Sequence, residues 1–73
     1  MIIIDRKATG KNMREYRRAY DCTVKELANI LDVEPFTVYA YESGRKMPSL
    51  DVFINMCHYY GREWNDLIIY KGD

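Results

Sequence analysis

The chain has no long apolar run, only two cysteines, a single histidine and no excess of either charge. Its opening Met1-Ile2-Ile3-Ile4 meets Asp5, Arg6 and Lys7 at once and is too short for a signal peptide. Nothing approaches the roughly 20 apolar residues of a membrane span. Cys22 and Cys57 are too few for a secreted disulfide framework, so they read as buried free thiols of a cytoplasmic protein. They stand 35 positions apart, without the clustered ligands that zinc needs. His58, next to Cys57, has no spacing suited to a nucleophile and base, and is expected to face solvent. These absences argue against an enzyme, a metal site, a cofactor and a small-molecule ligand. With two prolines, four glycines and 48% hydrophobic residues, the chain is expected to fold as one small domain over 1–73.

What is present is a pattern of charge and periodicity. The formal balance of eleven bases and eleven acids hides a division along the chain. Met1 to Lys25 holds seven bases and three acids, Glu26 to Gly44 four acids and no base, and Arg45 to Asp73 four of each. A basic N-terminal third suits phosphates, and the acidic middle argues against them.

An N-terminal arm is expected over 1–8. Its Ile2, Ile3 and Ile4 are β-branched, and the tail Leu67-Ile68-Ile69-Tyr70 has similar character. The two ends read either as short paired strands, within one chain or across a dimer, or as frayed termini over the core. A first helix is expected from Thr9 or Gly10 to about Tyr20, with Met13, Tyr16, Arg17 and Tyr20 on one face. Thr23 and Glu26 form a capping box that opens a second helix, which stops at Asp32. Pro35 suits the first turn of a third, and Gly44 its end. Two short helices joined this tightly make a helix-turn-helix by pattern alone, over 23–44. Ser49 caps a fourth helix with Leu50, Phe53, Met56, Cys57 and Tyr60 inward. Gly61 closes it, and a last turn spans about Trp64 to Ile68, with Trp64 expected on the core. The fold class is thus all-α with five helices, the two ends being candidate terminal β-strands.

Thr23, Glu26, Leu27, Ala28, Val33, Val38, Glu42, Gly44 and Pro48, taken together, resemble the Cro/CI-type (XRE family) helix-turn-helix domain, a lambda-repressor-like fold. The match runs back to Met13, Tyr16 and Arg17 and forward to Phe53, Cys57, Tyr60, Gly61 and Leu67. The resemblance implies a small repressor-like transcriptional regulator that binds double-stranded DNA, with the third helix in the major groove. It implies Pro35, Phe36, Thr37, Tyr39 and Ala40 toward the groove. It puts Thr23, Lys25, Ser43, Arg45 and Lys46 at phosphates, and pairs Arg17 with Glu42 as a structural ion pair. Two-fold operators imply a homodimer, with the Ile2–Ile4 arm and Ile68, Ile69 and Tyr70 as candidate surfaces.

The sequence also departs from its family. Val24 stands where a glutamine is common, and Glu34 where a serine or threonine caps the third helix. Pro35, Phe36 and Ala40 have no bidentate hydrogen bonds to offer a base edge, which leaves thymine methyls and the Thr37 and Tyr39 hydroxyls. The alternative is a protein-binding helix-turn-helix module, antitoxin-like or an accessory factor. It would use the apolar patch of Pro35, Phe36 and Tyr39.

Overall fold

Asp5 sets where the first helix begins. In the computed structural model, which describes residues 1–72, its carboxylate accepts the Ala8 amide at 3.0 Å. Helix α1 therefore runs Arg6–Ala19, starting three residues before Thr9. The arm is correspondingly shorter than residues 1–8: strand β1, Ile3–Ile4, leads directly into the Asp5 cap.

After a turn in which Asp21 takes positive φ, helix α2 spans Val24–Leu31. Thr23 Oγ1 accepts the Glu26 amide at 3.1 Å, and Glu26 Oε1 accepts the Thr23 amide at 2.9 Å. The Thr23 amide and then the Thr23 hydroxyl, both beside that carboxylate, hold the Glu26 carboxyl below its ordinary range. The stability they add is therefore complete above the ordinary glutamate range, and is lost as pH falls through the lowered value. Thr23→Ala should cost about 1 kcal/mol in a urea melt at neutral pH. The cost should shrink in acid, where Glu26 no longer answers the cap.

Asp32 ends α2 in the left-handed conformation at φ 56°, and the Val33 amide donates to the Ala28 carbonyl at 2.9 Å. Helix α3, Pro35–Ser43, follows at once. Gly44 stops it at φ +81°, and there a Cβ would also lie 2.9 Å from the Arg6 carbonyl oxygen. Helix α4 is Leu50–Tyr60, capped by Ser49, and α5 is the single turn Trp64–Leu67. Strand β2, Tyr70–Lys71, pairs antiparallel with β1 within the chain, Ile3 opposite Lys71 and Ile4 opposite Tyr70.

The core gathers Met13 from α1, Leu27, Ala28 and Leu31 from α2, Val38 and Tyr41 from α3, Phe53, Met56 and Tyr60 from α4, and Leu67. Cys22 is buried among them, and Cys57 only partly. Thr9 ties the chain's end to α1: its hydroxyl donates to the Ile69 carbonyl at 3.1 Å and accepts the Ile69 amide at 2.9 Å. Asn12 adds bonds to the carbonyls of Asp66 and Leu67. One side of α1 is thereby committed to the C-terminus, which leaves another for α3.

Several apolar side chains lie outside this core, contrary to their periodicity. Leu50 is 73% exposed and Trp64 54% exposed, each at the first position of its helix. Trp64 meets Tyr70 instead of the core, ring centroids 6.2 Å apart. Ile2, Ile3 and Ile4 are all exposed, so the terminal sheet covers little of the interior. Tyr20 is also exposed, yet its hydroxyl donates to the Tyr60 carbonyl at 2.5 Å.

Candidate nucleic-acid interface

Helix α3 is short, and its inward residues are few. Val38, Tyr41 and Glu42 are buried. The opposite side carries Phe36 and Tyr39, both exposed, with Ser43 one turn further on and Thr37 and Ala40 half-buried at its margins. Pro35 opens the helix, and Glu34 at its cap makes no side-chain hydrogen bond to the helix amides. The helix therefore presents an apolar tip with the Thr37 and Tyr39 hydroxyls at its edge and the Glu34 carboxylate beside it.

Beyond α3, Ser43 and Arg45 are joined. The Ser43 hydroxyl donates to the Ala40 carbonyl at 3.1 Å and accepts from Arg45 Nε at 3.0 Å. Ser43 thus orients the guanidinium. The Arg45 and Lys46 amides both donate to the Ala40 carbonyl, which fixes the loop that carries the two cations.

Two furrows flank α3, and their electrostatics differ. The furrow on the α2 side is lined by Thr23, Lys25, Glu26, Asp32, Glu34 and Pro35 among others: three carboxylates against one ammonium. On the α1 side, Lys7, Lys11 and Arg14 line one stretch and Arg14, Arg18 and Arg45 the next, with Glu42 and Ser43 common to both. Lys7, Lys11, Arg14 and Arg18 follow one another at i, i+4, i+7 and i+11, one face of α1. Sequence reasoning counted their charge without giving them a face. The spacing was there to be read, but not the helix they adjoin.

α1 and α3 are held together by a buried fork. Arg17 Nε donates to Glu42 Oε2 at 2.7 Å and Nη2 to Oε1 at 3.0 Å, while Nη1 reaches the Cys22 carbonyl at 2.8 Å. The Glu42 hydrogen bond, acting against desolvation, raises the Arg17 pKa above its ordinary value. Close by, burial pushes the Tyr60 phenol well above the usual tyrosine range, and its hydroxyl has no hydrogen-bond partner. Among the described residues no group of three or more His, Cys, Asp or Glu side chains forms a metal site, and no helix is long and apolar enough to cross a membrane.

Five helices with α2 and α3 joined at a tight left-handed turn, and an exposed α3 face flanked by cations, define a helix-turn-helix DNA-binding regulator. Residues 13–67 match the helix-turn-helix family HTH_3, and the chain belongs to that XRE-type family. It is 31% identical over 61 residues to an HTH-type transcriptional regulator of Methanocaldococcus jannaschii, covering 84% of this chain and 92% of that protein. Among solved structures it resembles the clp gene regulator ClgR of Corynebacterium glutamicum, with a TM-score of 0.77 and 32% identity over 85% of this chain. The chain spans 66% of that ClgR chain. The restriction-modification controller protein C.AhdI of Aeromonas hydrophila shares the fold, with a TM-score of 0.78, 24% identity, and coverage of 86% and 96% of the two chains.

Proposed function

We propose that this chain is a repressor-like regulator that binds operator DNA as a homodimer, α3 lying in the major groove. The observation that carries this is the outward stripe of α3, Phe36, Tyr39 and Ser43, running into the cations Arg45 and Lys46. Pro35, Phe36, Thr37, Tyr39 and Ala40 face the bases. Apolar contact with thymine methyls supplies most of the readout, since only Thr37 and Tyr39 offer hydroxyls. Thr23, Lys25, Ser43, Arg45 and Lys46 hold the backbone, with Ser43 acting through its bond to Arg45. Arg17 and Glu42 contribute by fixing α3 to α1.

The dimer rests on the exposed Leu50, Ile54 and Trp64, which share one groove with the adjacent, oppositely charged Arg62 and Glu63. A two-fold axis there sets each charge against its opposite in the second copy, around an apolar centre. The exposed tip of Phe36 and Tyr39 favours a second reading, a partner protein that docks on α3.

Salt separates the two readings. DNA held through phosphates weakens steeply as salt rises, with a slope of roughly 0.9 for each phosphate neutralised. The test titrates the protein against duplex DNA from its own upstream region across a salt series. A Lys25→Ala, Arg45→Ala, Lys46→Ala variant should lower the slope by up to about 2.7, three phosphates' worth. In the same titration Ile54→Glu should remove cooperative binding to two half-sites. No binding at low salt, or indifference to the three cation changes, would overturn the DNA reading in favour of the protein partner.

A further inference from the structure

We infer that the basic face of α1 is a second phosphate-binding strip, one that carries the DNA backbone past the helix-turn-helix along Arg45, Arg18, Arg14, Lys11 and Lys7. This rests on the DNA reading above and extends it to residues outside residues 23–44.

The argument starts from where the acids point. Six cations line the α1–α3 furrows, Arg17 among them, and among the described residues the carboxylates there are Asp5 and Glu42. Asp5 Oδ1 takes the Ala8 amide, and both Glu42 oxygens are taken by Arg17. Neither answers Lys7, Lys11, Arg14 or Arg18, and Glu15, four residues after Lys11, lies at the strip's edge toward Asn12 and Tyr16. The strip is therefore predominantly positive, and it is already attached to the loop that carries Arg45.

Arg14 is the specific observation. It is common to both furrows, and its Nε is buried with no hydrogen-bond acceptor in the protein. A buried N–H without an acceptor is rare in folded proteins. A guanidinium fork is the side chain that best fits phosphate oxygens. With Nε enclosed, the outer nitrogens of the fork are what a backbone phosphate lying over the furrow meets.

The other side of α3 strengthens the choice. Glu26, Asp32 and Glu34 weaken the hold of Thr23 and Lys25 on a phosphate strand along the α2 furrow. The backbone is drawn to the α1 side. From Lys7 to Arg18 the strip extends about 16 Å along the helix axis, at 1.5 Å per residue.

The test is a fluorescence-anisotropy titration of duplex DNA of random sequence over a salt series, using the full chain. Lys11→Ala, Arg14→Ala, Arg18→Ala should lower the salt slope by up to about 2.7, with roughly 0.9 for each phosphate lost. Arg14→Lys, Arg18→Lys should keep the slope while weakening binding, since charge remains and the fork is gone. Lys71→Ala, at the terminal sheet, should leave both unchanged. Lys11→Gln, Arg18→Gln retains Arg14 and covers the case in which the triple variant does not fold, as judged by circular dichroism; its slope should fall by about 1.8. If the wild-type chain binds and these losses amount to less than one phosphate, the strip is overturned while the helix-turn-helix reading stands. If the wild-type chain does not bind at low salt, both are overturned.

Discussion

Glu42→Ala should lower the melting temperature by at least about 12 °C, as much as emptying a buried core position. Arg17 gives Nε and Nη2 to the two Glu42 oxygens, and only its Nη1 bond to the Cys22 carbonyl survives the change. Both side chains are almost fully enclosed, 10% and 6% exposed, so water does not replace the missing carboxylate. Stranding one member of such a pair costs roughly 3–5 kcal/mol. A 73-residue chain at about 0.05–0.15 kcal/mol per residue has only about 4–11 kcal/mol in all. Each kcal/mol moves the melting point of so small a domain by about 4–8 °C. Arg17→Lys should also be costly, because an ammonium cannot make the two parallel bonds. The paired change Arg17→Met, Glu42→Leu should be less harmful than either single truncation, since it removes both charges together. A loss below about 1 kcal/mol for Glu42→Ala would place the pair with exposed ion pairs and remove its role in fixing α3.

The helix-turn-helix that this pair holds was the most legible part of the chain, for a different and local reason. Thr23 with Glu26, Asp32, Pro35 and Gly44 act through backbone groups within a few residues, so their chemistry shows in the sequence. The fold class followed from those local signals and from the joint spacing of the family residues. Asp5 was harder to see. It caps a turn, Arg6 to Ala8, with no buried residue, and the periodic face begins only at Met13. Leu50 and Trp64 were misplaced for the converse reason. Periodicity gives a helix two faces but does not say where the neighbouring elements stop, and both residues project past them.

The interface divides the same way. Phe36, Tyr39 and Arg45 are exposed where a third helix and its following loop put them, and that much is local. The strip on α1 depends on partners far off in sequence. Whether Lys11 and Arg14 are unanswered turns on Glu42, about thirty positions away, being already bonded to Arg17. A count of charges along the chain finds a basic first third and an acidic middle, and gives neither a face. The folded chain has an acidic furrow on one side of α3 and a basic one on the other.

Gly10→Ala should destabilise the protein although alanine is the better helix former. The propensity gain is about 1 kcal/mol at a mid-helix position. Against it stands the closeness of α1 to α3: a Cβ on Gly10 would lie 2.5 Å from the Tyr41 carbonyl oxygen and 2.7 Å from that of Glu42. Those are backbone atoms of α3, so no rotamer change relieves the contact and one helix must move from the other. Overpacking of this kind costs about 1–3 kcal/mol, occasionally more. The movement also pulls Arg17, two turns along, away from the Glu42 oxygens, and so adds part of the fork's loss. The net change in a urea melt should be a loss of roughly 1–3 kcal/mol. Gly61→Ala is the companion. Its Cβ would meet nothing within 4 Å, and only its φ of +62° opposes it, so it should cost about 1–2 kcal/mol with no change in DNA affinity per folded molecule. Gly10→Ala should weaken DNA binding as well, because it shifts the basic strip relative to the helix it extends. A variant at Gly10 that is as stable as the wild type would show that α1 and α3 have room to separate, and that the fork alone does not set their spacing.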